Sequence, residues 1–216
     1  MPPIAAQEGH DAPPALAPGQ GPGAIAPLTA VALVVLIALA FVIVIAANID
    51  APFGDSYDGR NGGVWGAGSR AILEDGPVAS ALGARHDSGL VYARHPPLIY
   101  PLTATAEWIA GSRPLVTRAP SVAAALATIV LLYVLLRTVG LRRLSAAAGV
   151  GVASSTAMFT VYGPMLDTPM LGLPAGLGLV IAWLRRRQGR AVSPWVEMGL
   201  AAVAALVAWQ AVFVAL

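Results

Sequence analysis

Three carboxylates stand among residues suited to chemistry. Asp55 and Asp58 lie in Asp55-Ser56-Tyr57-Asp58-Gly59-Arg60-Asn61-Gly62-Gly63, and Asp167 lies in Tyr162-Gly163-Pro164-Met165-Leu166-Asp167-Thr168-Pro169. Such an acid can orient and deprotonate a hydroxyl or amine, or bind a divalent cation (Mg or Mn) through oxygen ligands. Two acid regions facing one compartment could share that metal, as Asp58 and Asp167, or divide nucleophile activation from substrate placement. A third constellation is Arg94-His95-Pro96-Pro97, with Tyr92 and Tyr100 beside it. Arginine presents a planar set of donors to phosphate oxygens, and histidine adds another. Each group also has a plain reading: turn acids in a wet loop, an arginine at lipid headgroups, prolines that begin a helix.

The remaining titratable groups are poorer candidates. His10 lies in the leader and His86 lacks metal-ligand spacing, while Glu107 and Glu197 sit near membrane boundaries, where an arginine partner or snorkelling is expected. The chain has no cysteine, which removes disulfides, zinc-thiolate sites and thiol nucleophiles. It also lacks a phosphate-binding glycine loop that opens a helix after a strand, an HExxH pair and a Gly-x-Ser-x-Gly elbow.

The elements that must position these residues are set by composition. Hydrophobic residues make up 57% of the 216 and charged residues 11%, against about 25% charged in a soluble domain, so the chain belongs to the membrane class. The net charge of +2 is small and its basic residues are dispersed, which excludes a nucleic-acid partner. The expectation is an all-α, polytopic transmembrane protein with membrane lipids around it. Its helices fall at about 27–48, 120–136, 144–162, 170–184 and 195–216. The first would reach about 30 Å at 1.5 Å per residue, enough to cross a bilayer.

Residues 1–26, rich in Pro, Ala and Gly, read as a disordered cytoplasmic tail rather than a signal peptide. Residues 49–118 hold the charged, glycine-rich stretch, where Val64 to Leu73 forms a short helix stopped by Gly76-Pro77. A juxtamembrane helix is expected over 96–111 in place of a crossing. Arg137, Arg142, Arg143, Arg185, Arg186, Arg187 and Arg190 should be cytoplasmic under the positive-inside tendency. That gives five crossings of the plasma (inner) membrane, a cytoplasmic N-terminus, and the regions of Asp55/Asp58 and Asp167 on one external face.

Several blocks occur in a telling order: Asn61-Gly62-Gly63-Val64-Trp65, Ser69-Arg70-Ala71-Ile72-Leu73-Glu74-Asp75-Gly76, His95-Pro96-Pro97-Leu98 and Arg118-Ala119-Pro120-Ser121. Together with the leading helix and the acid that follows it, they resemble the N-terminal part of bacterial GT-C superfamily membrane glycosyltransferases. The similarity is to the dolichyl-phosphate-mannose protein mannosyltransferase-like and lipid A aminoarabinose transferase-like proteins, over roughly residues 27–184. It implies a GT-C-like N-terminal half, a polyprenyl-phosphate-linked sugar donor, and a protein, lipid or glycan acceptor. On this resemblance Asp58 takes the catalytic first-loop position with Asp55 in reserve, and relatives often carry Asp-Glu where this chain has Asp58-Gly59. Arg70, with Asn61, falls in the short helix after that acid. Arg94 and His95 match a basic position suited to the donor phosphate, with Tyr92 and Tyr100 adjacent, and Asp167 matches a second external acid. Relatives have about ten or more crossings, so the 216 residues are expected to be a fragment lacking a C-terminal half. The reading from another class is a non-catalytic membrane scaffold or remnant that binds lipid or a partner protein.

Overall fold

A computed structural model describes residues 25–85, 91 and 95–208. Within them run eight helices: α1 (Ile25–Ala46), α2 (Tyr57–Asp75), α3 (Ile99–Ala110), α4 (Pro114–Thr138), α5 (Arg143–Ser154), α6 (Ala157–Tyr162), α7 (Thr168–Arg187) and α8 (Pro194–Val207). The chain is an all-helical bundle, and among the described residues the one β feature is an isolated antiparallel bridge between Arg85 and Val91.

Among the described residues three helices are long and apolar enough to cross a membrane: Leu28–Ala46, Pro114–Thr138 and Thr168–Arg187. The outer face of α1 carries Leu28 and Ile43, 73% and 72% exposed, a surface that suits hydrocarbon and not water. α4 packs chiefly on α7, α7 on α8, α1 on α5, and α2 on α3. The shared core includes Phe41, Ile45, Ile99, Ile129, Val150, Leu166 and Leu171.

The five expected crossings are not five uninterrupted helices. The 144–162 segment divides into α5 and α6, because Ser155 closes one and the Thr156 hydroxyl accepts a hydrogen bond from the Phe159 amide to open the other. The helix expected over 195–216 stops at Val207, where Ala208 turns extended (φ −150°, ψ 123°); residues 209–216 lie outside the described residues, as does the leader up to 24. α4 begins at Pro114, six residues before the expected start, and contains Pro120. Its first turn is fixed from a distance, since the Leu115 amide donates to Asp50 Oδ1 at 3.0 Å. Such a cap satisfies one of the free N–H groups of a helix start.

The loop region is more ordered than its glycines suggest. α2 starts at Tyr57 rather than near Val64, with the Ser56 hydroxyl accepting from the Gly59 amide at 3.0 Å. It ends as expected, with Gly76 at φ 84° as its C-cap. α3 lies close to the juxtamembrane helix expected over 96–111. It packs on α2, where a side chain on Gly68 would run into the Gly83 carbonyl and the Tyr100 ring. The bundle has two distinct ends. At one, Asn61 on α2 bonds Asp167 before α7; at the other, Gln188 Nε2 donates to the Thr138 carbonyl at 2.7 Å, tying the end of α7 to that of α4.

Candidate active site at the acidic end of the bundle

Asp58 is the second residue of α2, so its carboxylate sits where the helix dipole favours negative charge. Its partner comes from 60 residues away: Arg118 Nη2 donates to Asp58 Oδ2 at 2.6 Å. The same guanidinium donates through Nη1 to the carbonyls of Ile49 (2.9 Å) and Ala51 (2.8 Å), and lies 4.3 Å from the centroid of the Phe53 ring. Arg118 thereby joins α4, the turn after α1 and the first turn of α2. It is 4% exposed, whereas the Asp58 side chain is 35% exposed. Among the described residues Asp58 Oδ1 meets no hydrogen-bond donor.

The tight turn over this pair depends on two glycines. A Cβ on Gly59 would strike the Gly54 backbone, and one on Gly62 would strike the Phe53 ring. Beside the pair is a cavity of about 340 Å³. Val44, Ile45, Asn48 and Ile49 line it from α1 and the turn beyond; Thr160, Val161 and Pro164 line it from α6 and the following turn. Asp58 and Arg118 supply its charge. A mostly apolar wall with a few convergent polar groups is the general form of a ligand site.

Three residues farther along α2, Asn61 Nδ2 donates to Asp167 Oδ2 at 3.2 Å. Asp167 caps α7, its Oδ1 accepting from the Thr168 amide at 2.7 Å. Burial pushes its carboxyl above the ordinary value of 3.8, while the Thr168 hydrogen bond and the charge of His95 pull it back down. His95 stands edge-on to Trp65 with centroids 5.5 Å apart. One turn of α2 therefore presents Asp58 to Arg118 and Asn61 to Asp167, with His95 near the latter.

Other candidates are placed apart. Asp55 is exposed just ahead of the Ser56 cap and makes no hydrogen bond or ion pair among the described residues. Arg70 is exposed, and twelve residues along one helix put it about 18 Å from Asp58 along the axis. Tyr100 is 2% exposed with its ring 5.1 Å from that of Trp65, which makes it a packing residue of the α2–α3 contact. Tyr92 and Arg94 lie outside the described residues. Glu107, expected at a boundary with an arginine or snorkelled, is instead buried. It accepts from the Thr117 hydroxyl at 2.6 Å and the Ser112 hydroxyl at 3.3 Å.

Arg118 is the site residue missed as a functional group in the sequence. The one signal the sequence held was its place in Arg118-Ala119-Pro120-Ser121, immediately before a long apolar run. For a metal the residues fit poorly. Among the described residues no group of three or more His, Asp and Glu could hold one; a cation at Asp58 would find a single open oxygen, Oδ1, beside the Arg118 charge, and one at Asp167 would compete with the Asn61 and Thr168 donors. No protein-family model, curated protein or solved structure matches the chain.

Proposed function

We propose that the acidic end of this bundle transfers a sugar from a polyprenyl-phosphate donor to a protein, lipid or glycan acceptor at the external membrane face, in the manner of a GT-C-like inverting glycosyltransferase. The observation that carries this reading is the cavity beside the Asp58–Arg118 pair, walled by the ends of apolar helices. A lipid-linked phosphate needs both features: an apolar approach for the chain and fixed polar groups for the head. Asp58, held at Oδ2 by Arg118, takes the acceptor's O–H or N–H proton at Oδ1 as the acceptor's lone pair attacks the anomeric carbon. The bond from that carbon to the phosphate oxygen breaks, and polyprenyl phosphate leaves with the electron pair. His95, with Arg94, stabilises the leaving phosphate, and Asp167 with Asn61 positions the acceptor; orientation and charge stabilisation are the two contributions.

The non-catalytic scaffold reading has its own supporting observation. Three of the Arg118 hydrogen bonds are spent on Ile49, Ala51 and Asp58, which is how an arginine staples a loop. Since a scaffold can also bind lipid, the two are separated by whether a long-chain polyprenyl phosphate binds the full chain in this cavity rather than elsewhere on its surface. Val161→Trp, which adds bulk at a lining residue that takes no part in the ion pair, is expected to weaken binding at least about tenfold, on the order of 1.4 kcal/mol. Unchanged binding in that variant, or none in the wild type, favours the scaffold.

A further inference from the structure

The opposite end of the bundle gathers seven arginines, Arg137, Arg142, Arg143, Arg185, Arg186, Arg187 and Arg190, against a single acid, Glu197. The fold concentrates them. Only four residues separate the end of α4 from the start of α5, and the Gln188–Thr138 hydrogen bond brings the end of α7 to the same place. Glu197 pairs with Arg186. Arg137 donates to the Leu141 carbonyl, and Arg187 lies 4.7 Å over the Trp183 ring. Among the described residues Arg142, Arg143, Arg185 and Arg190 have no carboxylate partner, and Arg142, Arg185 and Arg190 are exposed. Trp183 and Trp195 are exposed at this same end. Tryptophan is enriched at the headgroup level of bilayers, a level that would set these guanidinium groups beside lipid phosphates.

We infer that this arginine end is a binding surface for anionic phospholipid headgroups. The guanidinium fork pairs with two phosphate oxygens at once, and each basic residue near an anionic surface is worth roughly fivefold in apparent affinity. Zwitterionic lipid offers the same phosphate with its charge cancelled, so the surface discriminates by net charge. The inference stands on charge and placement alone and is independent of any sugar transfer at the other end.

The test uses the full chain in detergent with equal amounts of phosphatidylglycerol and phosphatidylcholine, counting retained lipids by native mass spectrometry. The wild type is expected to keep phosphatidylglycerol preferentially, and the preference to fall as salt rises. The variant with Arg142→Gln, Arg143→Gln, Arg185→Gln and Arg190→Gln is expected to lose that preference at least about tenfold. Replacing the same four by lysine should keep most of it, and Arg60→Gln with Arg85→Gln, away from this end, should leave it unchanged. Equal retention of the two lipids by the wild type overturns the inference, and that result needs no variant to fold. An undiminished preference in the folded glutamine variant, its helicity checked by circular dichroism, overturns it as well.

Discussion

Asp167 is the residue whose chemistry is most open to direct measurement. Its folded carboxyl is held above the ordinary 3.8 chiefly by burial, so the fold favours the protonated form. The contribution is fully present below the ordinary value and is lost as pH rises through the raised one. Asp167→Asn keeps a side-chain oxygen for the Thr168 amide and carries no charge to bury, while its new NH2 group replaces the oxygen that accepts from Asn61, a bond restored if the Asn61 amide turns to present its own oxygen. We expect this variant to melt higher than wild type at neutral pH and to converge with it in acid; a lower melting temperature at neutral pH would mean that the hydrogen bonds accepted by the carboxylate outweigh its burial. Arg118 shows where spacing fails as a guide. Asp58 and Asp167 are legible because an acid among glycines, or before a Thr-Pro helix start, has a local signature. Nothing local links Arg118 to carbonyls at 49 and 51 and a carboxylate at 58. That link exists only once α4 has folded against the turn after α1.

At the level of elements, α1, α4 and α7 were legible from their long apolar runs, and the C-terminal limit of α2 from Gly76-Pro77. The start of α2 was not. Tyr57 to Gly68 carries glycines at 59, 62, 63, 66 and 68, a composition of poor helix propensity. Packing overrides propensity here, because Gly59 and Gly62 admit the Gly54 backbone and the Phe53 ring against the helix. Gly63, by contrast, faces open space. Gly63→Ala is therefore expected to stabilise the chain by about 0.5–1 kcal/mol through helix propensity. Gly59→Ala is expected to cost about 1–3 kcal/mol, as overpacking does, and to disturb the Asp58–Arg118 pair. Thermal unfolding in detergent compares the two; a Gly59→Ala variant as stable as wild type would mean that the turn at 54 yields freely. The α5–α6 break shows another limit. Ser154-Ser155-Thr156 reads equally well as close helix packing, and the fold uses Thr156 to begin a new helix instead.

The whole molecule is polarised: the cavity with Asp58 and Asp167 lies at one end, the cluster of seven arginines at the other. The orientation we propose puts the cavity outside and the arginine end in the cytoplasm, resting on the positive-inside tendency. Cysteines placed singly at 80 and 187 in this cysteine-free chain are expected to react with a membrane-impermeant reagent in intact cells at 80 and not at 187. The reverse pattern inverts the orientation and moves the cavity to the cytoplasmic face.

The central proposal is that Asp58 deprotonates the acceptor during transfer of a lipid-linked sugar. It is tested by following transfer of a labelled sugar from a polyprenyl-phosphate donor in membranes carrying the full chain, wild type against Asp58→Asn, with donor binding measured alongside. Asparagine retains the volume and an acceptor for Arg118 but cannot take the proton. We predict that Asp58→Asn binds donor nearly as wild type does and transfers about 10² to 10⁴ times more slowly, while Asp55→Asn stays close to wild type. Transfer at the wild-type rate in Asp58→Asn would contradict the account.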